Sequence, residues 1–129
     1  MDILQGVKTI AVVGISDKPE RPSHQVAQYL QQYGFKIIPI NPMITEVLGE
    51  KAYSGISAVP AEIQIDLVDI FRKSEDVLPI VAEAVERGVR GVWLQEGVIN
   101  EEAAELAKKA GLKVEMDKCI EKELKRLAK

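Results

Sequence analysis

The amino-acid sequence predicts an α/β fold: a Rossmann-like doubly wound parallel sheet in a single three-layer domain over residues 1–129. Short apolar runs rich in Val and Ile alternate along the chain with segments of helical period. That alternation forces parallel strands joined by right-handed crossovers. The runs are also continuously apolar, as strands covered on both faces are. Size sets the third constraint: 129 residues with 47% hydrophobic content suit one core, burying roughly two-thirds of the surface exposed by the unfolded chain.

The elements follow in order. "TIAVVGI" (Thr9 to Ile15) is the first strand. "SHQVAQYLQQYG" places Val26, Ala27, Leu30 and Tyr33 on one face and closes on Gly34, a helix-ending signal. "KIIPI" (Lys36 to Ile40) is the second strand; after it the rhythm breaks into a turn, a very short edge strand near Ala52 and Tyr53, and a helical turn before Pro60. "DLVDIF" (Asp66 to Phe71) follows, then a helix from Ser74 to Gly88 in which Pro79 demands a distortion or a later start. "GVWLQ" (Gly91 to Gln95) leads to a helix capped by Asn100, acidic in its first turn and ended by Gly111. "LKVEM" (Leu112 to Met116) and a helix over about Ile120 to Leu127 complete the chain. The expected strand order is 3-2-1-4-5-6, with the third strand short. In such sheets ligands bind at the carboxyl ends of the strands where the order reverses. Gly14 to Ser23 and Phe71 to Ser74 should therefore face each other across one crevice.

Composition removes several function classes. A net charge of −3 and a pI near 5.3 oppose an extended nucleic-acid footprint, which needs clustered positive charge. No apolar stretch approaches the roughly 18 residues of a bilayer span, and no basic segment precedes an apolar leader. The expectation is a soluble, cytoplasmic protein. One Cys and one His cannot assemble a zinc site.

The loop "GISDKPERPS" occupies the position of a phosphate loop but holds one glycine. A dinucleotide fingerprint needs G-x-G-x-x-G and an acid at the end of the second strand. Here Ser16 and Pro19 stand at the glycine positions, and the second strand ends in Asn41 and Pro42. What remains is hydroxyls (Ser16, Ser23), cations (Lys18, Arg21) and the amino end of a helix, all parts that bind anions. The loop candidates are Gly14, Ile15, Ser16, Lys18, Arg21 and Ser23; a second cationic pair, Arg72 and Lys73, waits across the crevice. Two cationic clusters suit a ligand with more than one phosphate. Without further information the two serines serve equally well as turn caps.

The ordered series "VVGISDKPERPS", "IIPINP", "LGEKAYSGISAVP", "DLVDIFRKSEDV", "GVWLQEGVIN" and "GLKVEMDKC" resembles the small stand-alone CoA-binding proteins. Their domain is similar to the amino-terminal CoA-binding domain of succinyl-CoA synthetase alpha subunits and ADP-forming acyl-CoA synthetases. The resemblance implies coenzyme A as ligand, with Gly14, Ser16, Arg21 and Ser23 at its diphosphate. It places Asn41 and Pro42 at the adenosine end and Phe71, Arg72 and Lys73 on the opposite wall. Gln95 and Gly97 would lie nearer the pantetheine arm. The synthetases relay phosphate through a histidine of a second domain and use a nucleotide-grasping module; neither is found here, so the expectation is a binding module for CoA or an acyl-CoA, with no enzymatic activity. An NAD(P)-dependent oxidoreductase and a CoA-binding subunit of a multi-chain acyl-CoA synthetase are the alternatives.

Three residues need separate weighing. His24 falls beside the loop and is expected to be a solvated helix residue more often than a ligand contact. Trp93 is expected in the core or at a subunit interface more often than as a ligand platform, and the apolar "GVWL" edge offers a surface for a homodimer. Cys119, the only cysteine, should sit past the carboxyl end of the last strand at the start of the last helix. Helix amino termini favour a thiolate, so a mixed disulfide between Cys119 and the CoA thiol is weighed against a small half-buried hydrophobe.

Overall fold

The computed structural model describes residues 2–128. Five parallel strands form the main sheet: β1 (Thr9–Val13), β2 (Lys36–Ile40), β5 (Leu67–Ile70), β6 (Gly91–Leu94) and β7 (Lys113–Glu115), in the order β2-β1-β5-β6-β7. Val13 pairs with Ile40 on one side and Ile70 on the other, and Ile70 pairs in turn with Leu94. The carboxyl ends of the four strands are therefore level. The expected third strand is reduced to one parallel bridge, Tyr53 against Ile40, which completes the anticipated order. Residues between them form a small hairpin, β3 (Glu46–Val47) and β4 (Glu50–Lys51).

Helices cover both faces. On one, α1 (Pro22–Tyr33) and α4 (Ile120–Leu127) pack Val26, Ala27, Leu30, Ile120 and Leu124 against Ile10, Val12, Leu67 and Trp93. On the other, α2 (Val77–Arg87) and α3 (Glu101–Lys109) pack Val77, Val81, Ala84, Ala103 and Ala107 against Ala11, Val13, Val68 and Val92. Strand side chains alternate between the two clusters, as a period of two requires. Such a pattern leaves no face of a central strand for water, which is why these strands read as unbroken apolar runs.

Pro79 explains where α2 begins. Residues Ser74–Asp76 form a 3-10 turn, and α2 starts at Val77. Pro79 then falls in the first turn, where a missing N–H breaks no intrahelical bond. At α3, the Asn100 side chain accepts the Ala103 N–H at 2.9 Å, the anticipated cap. The amino edge of the sheet is tied by Asp66, which accepts the N–H groups of Lys8 (2.9 Å) and Thr9 (3.0 Å) and pairs with Arg90 at 3.2 Å.

Two expectations are corrected by the topology. "GVWL" is β6, flanked by β5 and β7 with all four residues buried; it is interior and offers no homodimer edge. His24 is 7% exposed, and its ring is a structural hydrogen-bonding group, not a solvated one. No described helix is long and apolar enough to cross a membrane.

Candidate functional site

At the carboxyl edge, β1 and β5 end side by side and their connections turn to opposite faces, α1 on one and α2 on the other. That divergence opens a cleft of about 830 Å³, within the roughly 300–1,000 Å³ of ordinary ligand sites. Gly14, Ser16, Lys18, Arg21 and Ser23 line one wall; Phe71, Arg72 and Lys73 line the other. Gln95 and Cys119 close the far end. The two segments expected to face each other do so. A second cavity of about 460 Å³ adjoins the first, sharing Gly14, Phe71 and Arg72, and it takes in Asn41, Pro42, Ser54 to Ile56, Ile80 and Glu83.

Gly14 permits this arrangement. Its φ is +86°, and a Cβ there would stand 2.2 Å from the Phe71 carbonyl oxygen. Only a residue without a side chain lets the two strand ends approach so closely.

The loop that follows is held by its own side chains. Ser23 Oγ accepts the Ser16 N–H at 2.9 Å, and Ser16 Oγ accepts the Lys18 N–H at 3.0 Å. His24 Nδ1 lies 3.0 Å from the Ser16 carbonyl oxygen. A carbonyl only accepts, so Nδ1 carries the proton and the ring clamps the loop. Asn41 Nδ2 donates to the Ile15 carbonyl at 2.8 Å, while Asn41 Oδ1 accepts the Met43 N–H at 2.8 Å. The serines thus shape the turn, and their hydroxyl protons remain free to donate. Ile15 stands behind the cleft lining, its side chain fully buried toward α1 and its carbonyl oxygen accepting from Asn41.

Electrostatics favour an anion. Helix α1 opens on the cleft with Arg21 at the N-cap position, no side-chain cap, and Pro22 behind it. Its amino-terminal dipole end is therefore not neutralised by a capping carboxylate. Lys18, Arg21 and Lys73 have no carboxylate within 4.0 Å among the described residues, whereas Arg72 pairs with Asp76 at 3.3 Å. Glu96, the one acid on the main cleft, is matched by Lys122 at 2.9 Å.

The far end is braced from β6. Trp93, fully buried, donates its indole N–H to the Lys118 carbonyl at 2.8 Å, and Gln95 Oε1 accepts the Ile120 N–H at 3.3 Å. These bonds bracket Cys119, which is half-buried and sits at the N-cap position of α4. Gly97 lies just outside the cleft, between Glu96 and Val98 of its lining, and donates its N–H to Asp117 at 2.7 Å. The residues that sequence reasoning missed are His24 as a clamp, and Ser54 to Ile56 with Glu83 on the second cavity. "YSGIS" falls within one segment of the resemblance, "LGEKAYSGISAVP", but carries no residue type that marks a site by itself; the bridge of Tyr53 to Ile40 brings it there.

Comparison with known proteins adds to this geometry. The chain is 44% identical over 119 residues to the uncharacterized protein YneT of Bacillus subtilis, covering 92% of this chain and 87% of that one. It is 30% identical to the acetate-CoA ligase (ADP-forming) II subunit alpha of Pyrococcus furiosus, but spans only 28% of that relative's length. Among solved structures, a hypothetical protein from Pyrococcus horikoshii superposes with a TM-score of 0.93 at 38% identity, covering 99% of this chain and 89% of that one. A Candidatus Korarchaeum cryptofilum dinucleotide-forming acetyl-coenzyme A synthetase, solved with phosphate and ADP, gives 0.74 at 30% identity, covering 85% of this chain and 26% of that one. The family model described as "CoA binding domain" matches residues 8–125, and the chain belongs to that family.

Proposed function

We propose that the protein binds coenzyme A, or an acyl-CoA, in the cleft at the carboxyl edge of the sheet, and that it does so without catalysing a reaction. The observation that carries this reading is the single cleft walled by Gly14 to Ser23 on one side and Phe71 to Lys73 on the other, with cations on both walls and a thiol at its end. A diphosphate lies against the amino end of α1, where Ser16, Arg21 and Ser23 meet it and Lys18 and Lys73 add charge. The adenosine end runs to Asn41 and Pro42, and the pantetheine arm runs past Gln95 and Gly97 toward Cys119. Catalytic turnover is not part of the reading, because among the described residues the cleft pairs no nucleophile with a positioned base.

The thiol end carries the finer half of the proposal. Thiolate exchange at Cys119 consumes CoA disulfide: the Cys119 sulfur attacks one sulfur of the disulfide, a Cys119–CoA disulfide forms, and one CoA leaves as its thiolate. Intact-mass measurement after incubation with CoA disulfide should show one CoA added, removable by dithiothreitol and missing in Cys119→Ser. An adduct that survives in Cys119→Ser, or no reducible adduct, overturns it.

Binding itself is tested by calorimetric titration of the reduced protein with CoA, with NAD and ADP in parallel. Saturable CoA binding, far tighter than NAD binding, is the expected result. Arg72→Ala should weaken it about tenfold, the loss of one charged hydrogen bond at about 1.4 kcal/mol. No saturation, or NAD bound best, would contradict the reading. The similarity to a ligase alpha subunit favours a second role for the same site, a CoA-binding subunit of a multi-chain synthetase; co-purification with a chain that carries a nucleotide-grasping module would support it.

A further inference from the structure

One wall of the second cavity, Ser54 to Ile56, is irregular backbone that side chains of α2 tie down. Between the Tyr53 bridge and β5, the only regular element is the 3-10 turn Ile56–Ala58. Arg87 on α2 spends all four of its terminal N–H groups there. Nη1 donates to the carbonyls of Ile56 (3.1 Å) and Val59 (2.8 Å), and Nη2 donates to those of Pro60 (2.7 Å) and Ile63 (2.9 Å). One turn earlier, Glu83 accepts the Ile56 N–H at 3.3 Å and the Ser57 hydroxyl at 2.9 Å. Both backbone polar groups of Ile56 are thus fixed by side chains of α2. Ile56, Ile80 and Glu83 all line the second cavity, opposite Asn41 and Pro42.

A planar fork with two donors on each terminal nitrogen can serve four carbonyls at once; an ammonium has three donors on one atom and cannot. The 3-10 turn Ser74–Asp76 joins Arg72 and Lys73 to the start of α2 at Val77, so the segment that carries the cleft's cationic wall runs directly into the helix that ties down Ile56. We infer that Glu83 and Arg87 are positioning residues that fix the width of the second cavity, and through it the affinity for the adenosine end of the ligand. This rests on the CoA reading given above. Neither residue needs to meet the phosphates; they act by where they hold Ile56 and, through it, the adjoining Ser54 and Gly55 of the cavity lining.

The consequence separates the two ends of the ligand. Calorimetric titration of wild type and Arg87→Lys should use CoA and 4′-phosphopantetheine, which lacks the nucleotide. Arg87→Lys should weaken CoA about tenfold, equivalent to about 1.4 kcal/mol, and leave 4′-phosphopantetheine within about twofold. Merely structural damage would lower both ligands together. Equal losses, or an unchanged CoA affinity, overturn the inference. If Arg87→Lys does not fold, Glu83→Gln keeps the guanidinium and weakens the grip on Ile56 and Ser57; the ratio of the two affinities must move the same way, and an unchanged ratio overturns the inference. Wild type that binds no CoA overturns the functional reading along with this one, whereas wild type that binds while both variants keep its ratio overturns only the clamp.

Discussion

Asp66 and Asp69 stand three residues apart at β5, in opposite surroundings. Burial pushes Asp66 upward, but the N–H groups of Lys8 and Thr9 and the Arg90 guanidinium outweigh it and hold the carboxyl below its usual range. Asp69 is fully buried between Val12 and Trp93 in the sheet register, both oxygens lack a partner among the described residues, and burial pushes it well above that range. The signs are opposite. Asp66 stabilises the fold above about pH 4 and loses that contribution as pH falls through its lowered pKa. Asp69 keeps its proton in the folded chain where the unfolded chain has released it, so stability falls as pH rises from about 4 toward its raised pKa. Asp69→Asn keeps the shape and removes the ionisation. Its thermal midpoint should exceed wild type at pH 8, with the gain shrinking toward pH 4; a gain independent of pH would contradict this. At Gly14, alanine meets both an unfavourable φ and the Phe71 carbonyl. Gly14→Ala should cost about 2–4 kcal/mol in denaturant unfolding, and a loss below about 1 kcal/mol would show that the strand ends can separate freely.

At the scale of elements, the strands and helices were legible because burial on two faces and helical period are both written in residue type. Lys36–Ile40 and Ile120–Leu127 match the sequence reading, and the other strands end one or two residues sooner. The hairpin β3–β4 was not legible. Its turn puts Leu48 at φ +55° beside Gly49 at +77°, a left-handed pair in which only the glycine gives a signal. The cleft was legible at its two walls, since position after a strand decides them. The burial of the Ile15 side chain behind the loop was not legible from its position after the strand, and neither was the His24 clamp, because a ring bonded to a carbonyl eight residues back leaves no periodic trace. The loop from Gly14 to Ser23 carries a prediction of its own. Ser23→Ala removes the acceptor for the Ser16 N–H and should weaken CoA binding about fivefold, at about 1 kcal/mol. Circular dichroism should show α1 intact; a full loss of helix would mean that Ser23 supports the fold instead of the loop.

For the whole molecule, one sheet edge gathers what the account needs. The amino edge is closed by Asp66, Arg90 and the bond from Arg90 to the Gly6 carbonyl, while the carboxyl edge is left open between α1 and α2. The chain is acidic overall at −3, yet four cations face the main cleft against one paired acid. A polyanion is thus drawn to one place on a surface that otherwise repels it, and CoA affinity should fall as salt is raised. The most direct measurement is an amide ¹H–¹⁵N chemical-shift map of the reduced protein titrated with CoA. CoA bound at the carboxyl edge should shift Ser16, Ser23, Arg72, Ile56 and Cys119, saturating together. Shifts confined to the amino edge around Gly6, Asp66 and Arg90, or no saturation at the carboxyl edge, would contradict it.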